Sequence, residues 1–552
     1  MLGERRIRAE VADGTDDDAA SLPSITAWRD PVIWLIAALS FGAYFVISLY
    51  RLLTLTPASY DLAIFTAFVR QLSQLHAPVV DVLAPGFNLE GDHFQVAVGV
   101  IAPFFRLFPT PATLLFFQAL FTAVSVFPVA TVGSLLTGRS TGRLIAFAYA
   151  FSWGLQQMID FDFHEIALAV PLLAFSLSAL VRRRPGATIA WAMPLVFVKE
   201  DQGFTVAAIG ALMAATAVFP SLLRARRVTA SPARSRPEDY RYVALWGGVS
   251  LVGWGLFWSL IAITVIIPHF NPLHVYRYWG GAGGPVAGTV GGQPGSFGDL
   301  VARLGTGWPI KLTTVVMLLL PTAFAALGSS VALVAVPSLV LRFISADTSY
   351  WGTAWHYNAT VMPILFIAAA AAVGRWQCEA SARPASTAPD PPFSPSPLGP
   401  MTAMLAFAAL SRGQLGKLVR AAQTGATRHG GAMMAAIAVA LAFQFPLSAL
   451  WHGSTYTIDA HVSAADAAMA VVPDGVTVTT TLDLLAPLAA RTDAFWIANS
   501  GNPVTQYVVI DGTNSGYYPP LTNVPAIMAS WYKGDGYVRV FARDDVYVYR
   551  RG

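Results

Sequence analysis

The sequence predicts an all-α polytopic membrane protein with a small α/β domain at its C-terminal end, and three observations lead there. The chain has 552 residues, of which 55% are apolar and only 12% charged, about half the charge of an ordinary soluble protein. Long stretches carry no charge at all, and Pro31–Tyr50 alone runs for twenty residues, enough to cross ~30 Å of hydrocarbon at ~1.5 Å per residue. After residue 452 the pattern changes to short β-branched runs separated by helical stretches. The single cysteine, Cys378, rules out a disulfide framework and a cysteine zinc site.

The elements follow in order. Residues 1–30 form a polar cytoplasmic tail, with Arg5, Arg6 and Arg8 ahead of Asp16, Asp17 and Asp18. Residues 31–374 are the membrane domain. The first run reads as a signal anchor, since no small-residue cleavage site follows a short apolar core. Further uncharged runs lie near 112–136, 144–159, 166–181, 186–198, 203–223, 242–268, 312–327, 330–341, 359–374 and 432–451, which makes about eleven spans. Residues 54–111 hold an outer loop with juxtamembrane helices. Within it, 94–108 reaches only ~22 Å as a helix and is interrupted by Pro103 and Arg106. The weak pair at 312–327 and 330–341 reads as a re-entrant hairpin or as two spans. Residues 375–431, rich in Pro, Ala and Ser around Pro389–Pro400, read as a disordered cytoplasmic linker. The run at 432–451 is the last span. Residues 452–552 form the outer domain, with strands expected at 476–481, 494–498, 507–512 and 537–541, helices at 463–472 and 483–490, and a capping box of Ser463 and Asp466.

Charge placement orients the chain. If 94–108 does not span, segments 1–30, 137–143, 182–184, 222–241 and 375–431 are cytoplasmic and hold 21 of the 35 basic residues, as the positive-inside rule requires. The expected topology is therefore multi-pass, with the N-terminus on the cytoplasmic side of the membrane and the C-terminal domain on the outer side.

The remaining polar residues gather in short clusters on the outer side: YDLAIF (60–65), GDHF (91–94), DFDFHE (160–165), KED (199–201), HVYRYWGG (274–281) and YWGTAWHYN (350–358). Charges at the membrane border are costly and mark sites. Asp61 opens an amphipathic stretch that Ser59 is placed to cap, and reads either as a carboxylate favoured by the helix dipole or as a base at the bilayer surface. Lys199, one of only four lysines, reads either as snorkelling or, with Glu200 and Asp201 beside it, as a cation for an anionic head group. Asp160, Asp162 and His164 would share a face if extended. Asp92, His93, Asp162 and His164 then read either as ligands of a divalent cation, Mg or Mn, or as a polar network that orients helices. Tyr276, Trp279, Trp351, Trp355 and Tyr357 suit sugar stacking and interfacial anchoring equally. The glycine-rich stretch 280–296 lacks the Lys-Ser/Thr of a phosphate loop, and nothing points to nucleic acid.

Taken as a set, YDLAIF, GDHF, LFPTP, DFDFHEIAL, VKED and HYN before an apolar run resemble the DUF2079 family of predicted bacterial membrane proteins over most of 55–375. That family is grouped with the GT-C glycosyltransferases. The resemblance implies a GT-C-like fold and a multispan enzyme that takes a sugar from a polyprenyl-phosphate carrier and gives it to an extracytoplasmic acceptor in the cell envelope. It places Asp61 as the acid of the first outer loop, Lys199 facing the lipid phosphate and Asp162 at the end of the third span.

The chemistry that follows is inverting transfer. Asp61 takes the acceptor proton. Lys199, with Arg277 as a second candidate, stabilises the departing phosphate, and His356, Tyr357, Glu200 and Asp201 complete the substrate site. The competing class is a transporter or lipid-handling protein without catalysis. Broken helices and midplane charges would favour that class, whereas the charges here lie at one surface.

Overall fold

The computed structural model describes residues 27–219, 222, 237–278, 297–382, 412–516 and 521–552. The N-terminal tail up to residue 26, the glycine-rich loop and Pro389–Pro400 lie outside the described residues. The membrane domain is a bundle of apolar helices. Among the described residues four are long and apolar enough to cross a membrane: Pro31–Leu53, Pro111–Thr137, Asp239–Phe270 and His356–Ser381. Six more apolar helices are shorter, from Val96–Leu107 to Ser330–Phe343, so the count of about eleven spans is not confirmed. Several uncharged runs are broken. The run at 144–159 divides at Phe151 and Ser152 into Arg139–Ala150 and Trp153–Asp160, and 186–198 passes into a 3₁₀ turn at Met193. Between 312–327 and 330–341, Ala323 and Phe324 both adopt left-handed backbone.

Local chemistry sets the helix ends. Asp30 accepts the amide of Val32 at 3.1 Å ahead of Pro31, an N-cap followed by the residue best suited to the first helical position. Arg139 and Arg143 close on the same carboxylate at 2.9 Å each. Arg51, at the other end of this helix, reaches the DFDFHE loop. The predicted cytoplasmic arginines and the acidic clusters therefore sit at opposite ends of the bundle.

Two helices, Gln202–Val218 and Pro237–Ile261, cross with almost no side chain between them. A Cβ on Gly203 would lie 2.2 Å from the carbonyl oxygen of Gly255, and one on Gly210 would lie 2.6 Å from that of Gly248. Both pairs repeat after seven residues, the small-residue packing that lets membrane helices approach closely. The crossing anchors the KED turn, because Ser259 donates to the Glu200 carbonyl at 2.5 Å.

Two boundaries move. The last long helix runs Arg412–Ala442, and His356–Ser381 continues past 374, so both ends of the stretch read as linker are helical. Ala, Gln, Leu and Lys there are good helix formers, and composition read over a wide window conceals them. The segment 94–108 forms Val96–Ile101 and Ala102–Leu107, beside the helix Asp61–Ser73, whose Ser73 carbonyl accepts from Arg106 at 3.4 Å.

The C-terminal domain is a five-stranded sheet: β1 (Thr477–Thr480), β2 (Asp493–Trp496), β3 (Tyr507–Asp511), β4 (Tyr537–Arg543) and β5 (Val546–Arg551), in the order β2-β1-β3-β5-β4. β1 pairs in parallel with β2 and β3, and β5 is antiparallel to β3 and β4. The β4–β5 hairpin turns on Asp544 and Asp545, both at positive φ, as a two-residue primed turn requires. The first helix is capped by Asp459, which accepts from Val462 at 2.9 Å. The chain turns helical at Ala460, so Ser463 lies inside the helix and does not cap it.

Candidate functional site

Most of the predicted clusters meet in one cavity of about 410 Å³ at the end of the bundle that carries the sheet. Asp61 lines it from the start of the helix Asp61–Ser73. Asp92 and His93 come from the GDHF turn, His164 and Glu165 from DFDFHE, Lys199 from KED, and His356 and Tyr357 from HYN. Each residue sits at an element's end, where backbone groups are exposed and the chain turns. Ser59 does not cap this helix: Tyr60 holds the N-cap position without a side-chain capping bond, and Ser59 Oγ accepts the Asp61 amide at 3.0 Å in the turn ahead of it.

The centre of the site is a charged chain. Lys199 Nζ lies 2.8 Å from Glu165 Oε1. Glu165 Oε2 lies 2.5 Å from His164 Nδ1, and His164 Nε2 lies 3.9 Å from Asp61 Oδ2. The His164 ring stacks on His356 with centroids 3.5 Å apart. Burial pushes the Asp61 carboxyl up to about 7, with the Glu165 charge adding to the shift. Burial pushes the His164 imidazole down to about 4, so it is neutral near pH 7. Burial also opposes ionisation of Glu165, but the facing His164 and Lys199 reverse it and hold its carboxyl well below the usual range. Burial likewise opposes the Lys199 charge, yet Glu165, Glu200 and Asp201 keep it an ammonium.

Glu200 stands behind the cavity wall. It accepts from His93 Nδ1 at 2.7 Å, the Phe94 amide at 3.2 Å and the Tyr276 hydroxyl at 2.9 Å. Tyr278 donates to Asp92 at 2.7 Å and stacks on His93. Asp201 receives the Gln202 amide nitrogen at 3.2 Å and does not line the cavity. Arg277 lies outside the lining too, since the tyrosines on either side of it are the ones turned to the acids.

Asp162 departs from expectation. It is buried, accepts the Ala58 amide at 2.7 Å and faces Arg51 Nε at 3.5 Å, while Asp160 takes Arg51 Nη1 at 2.6 Å. The loop is not extended, because Asp162 adopts φ 66°. That turn breaks the alternation, aiming both aspartates at Arg51 and His164 into the cavity. The proposed metal set does not assemble. Asp92, His93, Asp162 and His164 each answer to a different protein partner, and among the described residues no three His, Cys, Asp or Glu side chains converge to hold a cation.

Glu165 lines the cavity and pairs with Lys199, yet the sequence reading gave it no role of its own. Its signal was available: a lysine at the end of an apolar run, once buried, demands an acid from another element. The aromatic candidates also separate. Trp351 is buried and lies under Lys311, 4.0 Å from its ring centre. Trp355 lines the cavity, is 39% exposed and adopts φ 66°, ψ −178°, a region that costs ~1–3 kcal/mol for a residue with a side chain. Trp279 lies outside the described residues. A second, open groove of about 490 Å³ runs beside Asp160 and the turn at 444–455, and none of the candidate residues lines it.

Residues 51–386 match the family described as predicted membrane proteins of the DUF2079 type. The chain belongs to the DUF2079 family. No curated protein matches it. Among solved structures, this DUF2079 protein is similar to ArnT from Cupriavidus metallidurans bound to undecaprenyl phosphate, at 14% identity and TM-score 0.48 over 95% of this chain and 98% of that one. The same protein in its apo state gives 13% and 0.46 over 94% and 97%. The archaeal oligosaccharyltransferase AglB from Archaeoglobus fulgidus, in complex with an inhibitory peptide and a dolichol-phosphate, gives 12% and 0.33 over 86% and 69%. These likenesses are too distant to carry a function.

Proposed function

We propose that this DUF2079 protein is an integral membrane glycosyltransferase that moves a sugar from a polyprenyl-phosphate donor to an acceptor hydroxyl on the outer face of the plasma membrane. The supporting observation is one cavity at the bundle's end that holds both a carboxyl titrating near 7 and a buried ammonium.

In this reading Asp61 takes the acceptor proton as the oxygen attacks the anomeric carbon. A base works best with a pKa near the working pH. The bond from that carbon to the phosphate oxygen breaks, and the electron pair leaves with polyprenyl phosphate. The leaving group is already anionic and needs opposite charge more than a proton, which Lys199 supplies. With no enzyme nucleophile in the scheme, the anomeric configuration inverts. The four residues first read as cation ligands fit no such site, so no step is routed through a metal.

The purified protein is incubated with a polyprenyl-phosphate sugar and candidate acceptors, and donor consumption is followed. Consumption lost in Lys199→Met and Asp61→Asn supports the reading. Solute flux across vesicles without donor consumption overturns it in favour of a transporter.

A further inference from the structure

Trp355 stands out among the cavity-lining residues. Its backbone sits in a region that glycine occupies freely and a bulky side chain does not. Such a conformation persists only when the surroundings over-determine it, and they do. The buried Arg342 donates to the carbonyls of Tyr350, Gly352 and Tyr357 and to Asn358 Oδ1, at 3.0 to 3.2 Å. Asn358 in turn donates to the carbonyls of Gly352 and Thr353. The chain is thus pinned on both sides of residue 355. The ring gains little from folding in return. It is 39% exposed, its aromatic contact is an edge-on approach to Phe161 at 5.0 Å, and its indole N–H has no partner among the described residues. A strained backbone that delivers a half-exposed aromatic ring with a free donor to a cavity serves a ligand rather than the core.

We propose that Trp355 is the platform on which the donor's sugar ring stacks at the mouth of the cavity. The inference rests on the transferase reading above. An indole suits a pyranose, since its face meets the ring's C–H groups and its N–H meets a hydroxyl. The cavity holds Lys199 for the phosphate and Asp61 for the acceptor, so the sugar linking them must lie between, within reach of its wall. Stacking reads the C–H face that hexopyranoses share, not the pattern of individual hydroxyls.

The test uses the full-length protein in detergent with two probes, undecaprenyl phosphate and undecaprenyl phosphoryl-glucose, and the variants Trp355→Gly and Trp355→Phe. The wild type is expected to bind the sugar-bearing lipid more tightly. Trp355→Gly should weaken that lipid roughly fivefold to tenfold, the size of one aromatic contact, and leave undecaprenyl phosphate within about twofold. Trp355→Phe should retain most of the difference. Trp355→Gly should also melt at or above the wild-type temperature, because glycine relieves the backbone. A clear fall in melting temperature overturns the proposal by making the ring a packing residue. Equal losses for both lipids overturn it in favour of contact with the prenyl chain or phosphate. Wild-type binding of the two lipids with equal affinity, or unchanged binding in Trp355→Gly, overturns it outright. Failure of the wild type to bind either lipid overturns the transferase reading itself.

Discussion

Asp61 and His164 are neighbours in space, but burial moves their titrations in opposite directions, up to about 7 for the acid and down to about 4 for the base. If Asp61 is the base, transfer should rise with pH through about 7 and then level off, which a pH profile of donor consumption measures. The same titration acts on stability. Folded Asp61 holds its proton to higher pH than the unfolded chain does, so the folded state loses stability as pH rises from about 4 to 7. Asp61→Asn removes that loss. It should stay folded, lose product, and melt above the wild type at pH 8, with the gap closing near pH 4. The Lys199–Glu165 pair makes a second prediction. Glu165→Gln leaves a buried ammonium without its anion and should cost ~3–5 kcal/mol. The double variant Glu165→Gln, Lys199→Met should recover most of that loss in thermal melts. Additive losses would show that the two charges do not depend on each other.

At the scale of elements, the site is held by turns and helix crossings rather than by long secondary structure. The crossing of Gln202–Val218 over Pro237–Ile261 fixes the KED turn through Ser259, and its closeness depends on glycine. Gly203→Leu has no room against the Gly255 carbonyl 2.2 Å from its Cβ. The helices must separate, so the melting temperature should fall by several degrees and donor consumption should drop, although Gly203 does not line the cavity. An unchanged melt would show that the crossing is looser than described. The elements were unevenly legible. Asp30-Pro31 and Thr110-Pro111 do cap their helices, but the caps expected at Ser59 and Ser463 fall at Tyr60 and Asp459 instead, because a shift of a few residues in where the chain turns helical decides which side chain caps. The turn at Asp162 was not readable, because a left-handed aspartate depends on what holds it, here Arg51, the Ala58 amide and Gln118. The breaks in apolar runs were equally hidden, since hydropathy records burial and not where a helix stops.

Across the whole molecule, the C-terminal sheet is docked against the helix that begins with Asp61. Tyr60 stacks on Trp496 at 5.2 Å, Arg70 pairs with Asp493, and Asn499 donates to the Val82 carbonyl at 2.9 Å. The ion pair is partly exposed and contributes ~0–1 kcal/mol. The stack contributes ~0.5–1.5 kcal/mol beyond the area it buries. Trp496→Ala should therefore loosen the domain, seen as faster proteolysis of the junction at 452–459, and lower donor consumption, because Tyr60 adjoins Asp61. Faster proteolysis with full consumption would make the domain a neighbour of the site and not its support.

The amino-acid sequence by itself determined the class of the protein, the ends of the bundle and the identity of most cavity residues. Those properties follow from local solvation: apolar runs leave water, arginines stay on one side, and stray acids, histidines and a lysine are too costly to scatter through a membrane domain without purpose. Only the tertiary structure decided which polar residues face one another. It paired Lys199 with Glu165, turned Asp162 toward Arg51 and away from the cavity that Asp92, His93 and His164 line, and seated Trp355 in a strained loop at the cavity's edge. Those choices depend on contacts between elements far apart in the chain, where a buried charge takes whichever partner the packing brings within about 3 Å.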